Sequence, residues 1–195
     1  MTRWAPGTAE RLQEAALALF ADRGFEQTTA ADIAQSVGLT ERTFFRHFSD
    51  KREVLFHGQR LLAEAFTSGA QAAPDGASPI EIVACALRSA ASVFPDERRP
   101  HSRARRSVIE QNPALREREL HKLAGLSAAL TETLRARGVA PLAAALAAQC
   151  GVTVFGLAFT QWIGEGEQRS FDALTTQTLQ ELLALAAKGT PRIAP

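Results

Sequence analysis

The chain has 195 residues, 46% of them apolar, with 22 basic against 21 acidic side chains and a net charge of +1. That length supports one or two small domains with cores of their own, and the balanced charge excludes a chain that coats nucleic acid by bulk charge. Ala and Leu dominate, β-branched runs are few and no stretch sustains period-two alternation. An all-α fold of about nine helices is therefore expected.

The first helix is expected from Gly7 to Arg23. Leu12, Ala16, Leu19 and Phe20 recur at helical spacing and define its buried face. Gly24 stands where a left-handed cap would end it. Thr29 opens a second helix, with Asp32 three residues on, and Ala30, Ile33, Ala34 and Val37 form its apolar stripe. Gly38 interrupts that helix, and Thr40 starts the third, with Glu41 in its first turn. Phe44 and Phe48 are four apart and point the same way, into a small core. The opposite side then carries Arg42, Thr43, Arg46 and His47. Two guanidinium groups, a hydroxyl and an imidazole are groups that reach base edges and phosphates. Two helices joined by a tight turn are the geometry that sets one short helix in the major groove of DNA. The first 56 residues hold seven Lys/Arg against eight Asp/Glu, yet positions 41–52 hold four against two. Positive charge is focused on the third helix, which predicts modest affinity for arbitrary sequence and a real preference among sequences.

Asp50 and Glu53 mark a fourth helix start, with Lys51 in its first turn. That helix is expected to run from Lys51 to about Gly69, with Val54, Leu55, Leu61, Leu62, Ala65 and Phe66 inward. A linker follows at 73–77. Ser78-Pro79-Ile80-Glu81 combines a capping Ser, Pro at the first position and Glu at the third, and opens a helix to about Phe94. Further helices are expected over His101–Gln111, Pro113–Gly138, Pro141–Gly164 and Ser170–Lys188, and the tail Gly189–Pro195 is expected to fray. Residues 138–164 carry no charge over 27 positions. Their length fits a membrane span, but their many alanines, with Pro141, Gly151, Gly156 and Gly164, fit a helix buried within a protein. Cys85 and Cys150 lie in apolar helical patterns and read as small buried side chains in a reducing cytosol, with a disulfide or thiol sensor as the alternative. The five arginines of 97–106 read as a solvated helix face or as a collar for an anionic effector. Glu10, Arg11 and Glu14 interrupt any apolar leader, so a cytoplasmic location is expected.

The order Phe20, Gly24-Phe25, Thr28-Thr29, Ile33-Ala34, Val37-Gly38-Leu39-Thr40, Thr43-Phe44-Phe45, His47-Phe48 and Lys51 closely resembles the tetracycline-repressor (TetR) family of bacterial transcription regulators. The resemblance implies a three-helix helix-turn-helix DNA-binding domain at 1–56 and a helical effector-binding and dimerisation domain at 57–195. It implies a cytoplasmic homodimer, a repressor in function, reading a palindromic operator of double-stranded DNA through helix 40–48. Phosphate contacts are implied for Thr29, Thr40, Phe45, His47 and Lys51, and base contacts for Arg42 and Thr43, with Arg46 beside them. Position 45 is usually tyrosine in the family; here it is Phe45, in a chain without tyrosine, so one phosphate hydrogen bond is absent. The last two helices are implied to pair with their twins in a four-helix interface, with Phe155, Phe159, Leu174, Leu182 and Leu185 as contacts. The segment Arg106–Gly138 is similar to a regulator subgroup linked to mycofactocin clusters, which implies a small-molecule effector of the fatty acyl-coenzyme A type held in an apolar pocket. No cofactor, metal or catalytic set is expected: His47, His57, His101 and His121 are scattered without paired spacing. The alternative is a helical small-molecule sensor or carrier that no longer binds DNA.

Overall fold

The computed structural model describes residues 7–188, so the tail expected to fray lies outside the described residues. Among the described residues nine α-helices and two 3-10 turns follow one another: α1 (Thr8–Arg23), α2 (Ala30–Ser36), α3 (Glu41–His47), a 3-10 turn (Arg52–Phe56), α4 (Gln59–Gln71), α5 (Pro79–Ala91), a second 3-10 turn (Asp96–Arg98), α6 (Arg99–Glu110), α7 (Pro113–Ala136), α8 (Pro141–Trp162) and α9 (Phe171–Lys188). The all-α expectation holds. Two compact units are present. One contains the described residues up to Arg60 together with His101–Leu120; the other contains Leu61–Pro100 and the described residues from His121 on.

In the first unit local chemistry sets the helix ends. The α2 cap is reciprocal: the Asp32 N–H donates to Thr29 Oγ1 at 3.1 Å and the Thr29 N–H donates to Asp32 Oδ2 at 2.8 Å. Gly38 sits at φ 72° after α2, and the Leu39 N–H closes back on the Ala34 carbonyl at 2.9 Å. A side chain at that φ would be strained, so glycine is required at this turn. Leu12, Ala16, Phe20, Ile33, Phe44, Phe48, Val54 and Leu55 form the core, joined by Val108, Ile109 and Leu115. These last three place the end of α6 and the start of α7 in the same compact unit as α1–α3. That core therefore extends beyond the boundary expected between 56 and 57. The fourth helix also differs from expectation. Asp50 Oδ1 does accept from the N–H groups of Arg52 and Glu53, at 2.7 and 3.1 Å, but a 3-10 turn follows and α4 begins only at Gln59. Val54, Leu55 and Phe56 are three successive buried residues. They span more of a helix circumference than one buried face supplies, and Gly58 then weakens helical continuation.

The second unit is built around aromatic rings. Phe66, Phe94, Phe155, Phe159, Trp162 and Phe171 meet at centroid distances of 5.0–6.2 Å. Ser78 and Glu81 cap α5 reciprocally, as its sequence predicts. Arg99 ties the end of α8 to the loop before α9. It donates to Asp96 Oδ1 at 2.7 Å, to the Arg169 carbonyl at 2.7 Å and to the Glu167 carbonyl, and its guanidinium lies 5.3 Å from the Trp162 ring centroid. The Trp162 indole N–H, and after it Arg99, hold the Asp96 carboxyl below the usual carboxylate range. In the same loop the Arg169 side chain, helped by backbone N–H groups, holds Glu167 at about 2. α8 is long and apolar enough to cross a membrane by length and composition. Its Ala144, Ala148, Val154, Phe155, Ala158 and Trp162 are instead buried within this unit. Cys85 and Cys150 are half-buried and unbridged rather than fully enclosed.

The residues implied as contacts between twin subunits lie mostly inside their own chain. Phe155, Phe159 and Leu174 lie in the core of their own chain, Leu182 packs against that core, and only Leu185 is well exposed, at 72%. α8 has no charge, and its outer side is marked only by the exposed Gln149, Thr153, Thr160 and Gln161 among leucines.

Helix α4 packs closely on α5 at Gly69. A Cβ there would lie 2.5 Å from Ser89 Cβ and 2.7 Å from the Cys85 carbonyl oxygen. Gly69→Ala is expected to destabilise the chain by about 1–3 kcal/mol through overpacking, read as a lower urea midpoint at unchanged slope.

Candidate nucleic-acid interface

The orientation of α3 decides what this unit offers to solvent. Phe44 and Phe48 are buried, with ring centroids 5.2 Å apart. Arg42, Arg46 and His47 are exposed, Thr43 is half-buried and Phe45 is 50% exposed. The cationic strip expected on the outer face of the third helix is therefore present. Its residues are held at the helix start by Thr40, whose Oγ1 accepts from the Thr43 N–H at 3.3 Å. The Thr40 and Thr43 hydroxyls also share a hydrogen bond of 3.0 Å. Arg11 on α1 donates to the Val37 carbonyl at 2.8 Å and fixes the turn that precedes α3.

Two positions implied as phosphate contacts are already engaged. The Thr29 hydroxyl donates to Asp32 Oδ2 at 2.6 Å, and this bond, followed by that from the Thr29 N–H, holds the Asp32 carboxyl below its ordinary range. Lys51 donates from Nζ to the Phe25 carbonyl at 2.6 Å, with the ammonium 4.1 Å from the Phe25 ring centroid. An ammonium has three donors, so this bond leaves two. Lys51 thus ties the segment after α3 to the loop between α1 and α2. His57 lies edge-on to Phe48 at 5.4 Å, with Nε2 3.9 Å from Glu10 Oε1, and belongs to this packing.

Three of the five arginines suggested as an anionic collar serve the protein itself. Arg99 holds the α8–α9 loop. Arg105 donates from Nε to the Leu55 carbonyl at 2.7 Å and pairs with Glu119 at 3.2 Å. Burial pulls its guanidinium below the ordinary value, and Glu119 opposes that pull. Arg106 pairs with Glu110 at 2.6 Å and with Glu119 at 3.2 Å. Sequence reading missed two further residues of this unit. Arg118 donates from Nε to Glu53 Oε1 at 2.8 Å, and Asn112 donates from Nδ2 to Glu26 Oε1 at 2.9 Å. Their partners are more than sixty positions away, and no local pattern announces them. In the second unit a cavity of about 440 Å³ opens where α5 meets the loop before it, lined by Pro74, Ala77, Ala84, Cys85 and Arg88 among others.

A family model described as bacterial regulatory proteins, tetR family, matches residues 12–57. A second, described as the MftR C-terminal domain, matches residues 77–187. The chain is similar to the HTH-type transcriptional regulator TcmR of Streptomyces glaucescens, with 38% identity over 82 residues. That stretch is 42% of this chain and 36% of that relative, so the match spans little more than a third of its length. Solved structures that share the fold include two FadR proteins. FadR of Thermus thermophilus, a TetR-family transcriptional repressor in complex with lauroyl-CoA, is 24% identical with a TM-score of 0.57 over 96% of this chain and 98% of its own. FadR of Bacillus subtilis in complex with stearoyl-CoA is 18% identical with a TM-score of 0.61, over 90% and 97%.

Removing the ammonium of Lys51 while keeping its apolar stem tests its place in the head. Lys51→Met is expected to lower stability by about 1–2 kcal/mol, measured by urea unfolding, through loss of the charged hydrogen bond and the ring contact.

Proposed function

The chain belongs to the TetR family of bacterial regulatory proteins, and from that premise we propose that it is a ligand-responsive transcription regulator, a repressor, that reads a palindromic operator as a homodimer. The observation that carries this reading is α3: two phenylalanines inward, and Arg42, Arg46 and His47 outward from one short helix. In this reading Arg42 and Thr43 contact base edges. Thr40, Phe45, Arg46, His47 and the free donors of Lys51 position the helix on the phosphates, and Thr29 joins them if it yields its bond to Asp32. One α3 reads only a few base pairs, and a two-fold axis doubles the contacts.

The surface proposed for pairing lies on the outer side of α8, with α9 beside it. Leu142, Leu146 and Leu157 fall at i, i+4 and i+15, along one side of α8, and are exposed at 74, 60 and 60%. Leu185 adds a fourth exposed leucine from α9. Exposed leucines aligned along one helix mark an interaction surface. The effector class we propose is a fatty acyl-coenzyme A. The support is the MftR C-terminal domain match and the acyl-CoA ligands of the two FadR proteins. Such a ligand changes DNA binding only by its differential affinity for the binding and non-binding states, and a tenfold release needs about 1.4 kcal/mol.

The test is selection of duplexes from a random pool, followed by gel shifts on the recovered sequence and on mixed-sequence DNA. A palindrome with two half-sites is expected. Arg42→Ala should cost about 1–3 kcal/mol at a single base position and little on mixed DNA. Recovery of no preferred sequence would replace the regulator with a sensor or carrier. Lauroyl-CoA and stearoyl-CoA, titrated into the preformed complex, are expected to release the duplex, whereas free coenzyme A should leave it bound. Release by none of the three would sink the effector class alone.

A further inference from the structure

We infer that Arg105, Asn112 and Arg118, far from α3 in sequence and outside the segment that matches the DNA-binding family model, are positioning residues for operator reading. The inference rests on the proposed function and adds to it the device that holds the reading helix. Three polar ties join the α6–α7 corner to the segments that flank the helix-turn-helix. Asn112 donates to Glu26 in the loop between α1 and α2. Its own Oδ1 accepts from the Ala114 and Leu115 N–H groups, at 3.1 and 3.3 Å, so the same side chain caps α7. Arg118 pairs with Glu53, and Arg105 donates to the Leu55 carbonyl while its guanidinium lies 5.2 Å from the Phe56 ring centroid. Glu53, Leu55 and Phe56 belong to the 3-10 turn that is the next element after α3, four residues on. The corner therefore grips the chain on both sides of α2 and α3.

The chemistry of these ties favours rigid placement. Arg118 and Glu53 are 33 and 19% exposed at their side chains, and Arg105 and Glu119 are 20 and 18% exposed. Half-desolvated guanidinium–carboxylate pairs have directional geometry that a surface lysine pair lacks. Beneath them Val108, Ile109 and Leu115 close the core that contains Phe44 and Phe48. A change in the α6–α7 corner is thus a change in what α3 leans on. None of the three residues lies on α3's exposed face, so they act through the fold and carry no sequence information of their own.

The test uses the full chain and the duplex recovered by selection, with mixed-sequence DNA as control. Arg118→Ala and Asn112→Ala are expected to weaken the selected duplex roughly tenfold, within the range usual for coupling between sites. Mixed-sequence affinity and the salt slope should stay as in the unmodified chain, because no phosphate contact is lost. The exchanged pair Arg118→Glu with Glu53→Arg should recover most of the loss. Should Arg118→Ala unfold, Arg118→Lys keeps the charge but loses the two-donor geometry, and the same selective loss is expected from it. Variants that melt at lower temperature yet hold the selected duplex as tightly as the unmodified chain would overturn the inference. So would an equal loss on both DNAs, or an exchanged pair that folds without recovering affinity. If the unmodified chain itself selects no sequence, the proposed function fails and the inference with it; an unmodified chain that selects beside indifferent variants sinks the inference alone.

Discussion

The burial of Phe44 and Phe48 on one side of α3 is the constraint from which the interface follows. α3 has seven residues, too few to stay helical in water by propensity alone. Its form is imposed by the core beneath it, where Phe20, Ile33 and Leu12 provide the other walls. Once the two rings are seated, side-chain directions along the helix leave Arg42, Phe45 and Arg46 no inward option. Packing thus precedes chemistry here: the cationic strip exists because the rings have nowhere else to go.

The same economy of a small head limits its polar groups. Thr40 spends its hydroxyl on the cap of α3, and Lys51 spends one donor on the Phe25 carbonyl. Thr29 is the sharpest case. The start of a helix attracts anions through its unpaired N–H groups, yet Asp32 already sits there as a carboxylate. A phosphate approaching Thr29 competes with that carboxylate for the same donors and is repelled by its charge. Exposed Arg42, Arg46 and His47 have no such prior duty among the hydrogen bonds described above. They are the groups able to change partner at least cost.

Much of this was legible in the chain because it is local. Thr29 with Asp32, Ser78 with Glu81, and Pro at 79, 113 and 141 announce helix starts within four residues, and those starts stand where the sequence puts them. The two-sided character of α3 was legible for the same reason, since a spacing of four settles a face. The partners of Arg105 and Arg118 were not. A guanidinium is compatible with solvent, with an effector or with a carbonyl fifty residues away, and only the tertiary fold chooses. Val108, Ile109 and Leu115 are likewise plainly apolar, but periodicity does not say which of two cores an apolar side chain joins.

α8 shows the opposite failure, in which too much signal hides the answer. A helix without charge marks its outside only by a few neutral polar groups, here Gln149, Thr153, Thr160 and Gln161, all exposed and interleaved with leucines. In the folded chain Phe155, Phe159 and Trp162 turn inward to the aromatic cluster while Leu142, Leu146 and Leu157 stay in solvent. Leaving those leucines uncovered forgoes about 25 cal/mol for each Å² of apolar surface that a partner would bury. In the proposed dimer, covering them with a twin would relieve that loss without recruiting a single core aromatic. On that proposal one helix carries two separate duties, an inner side that fills its own unit and an outer side that pairs. Substitutions that repack the inner side need not disturb pairing unless they bend the helix itself, because the two sides share a backbone but no side chain.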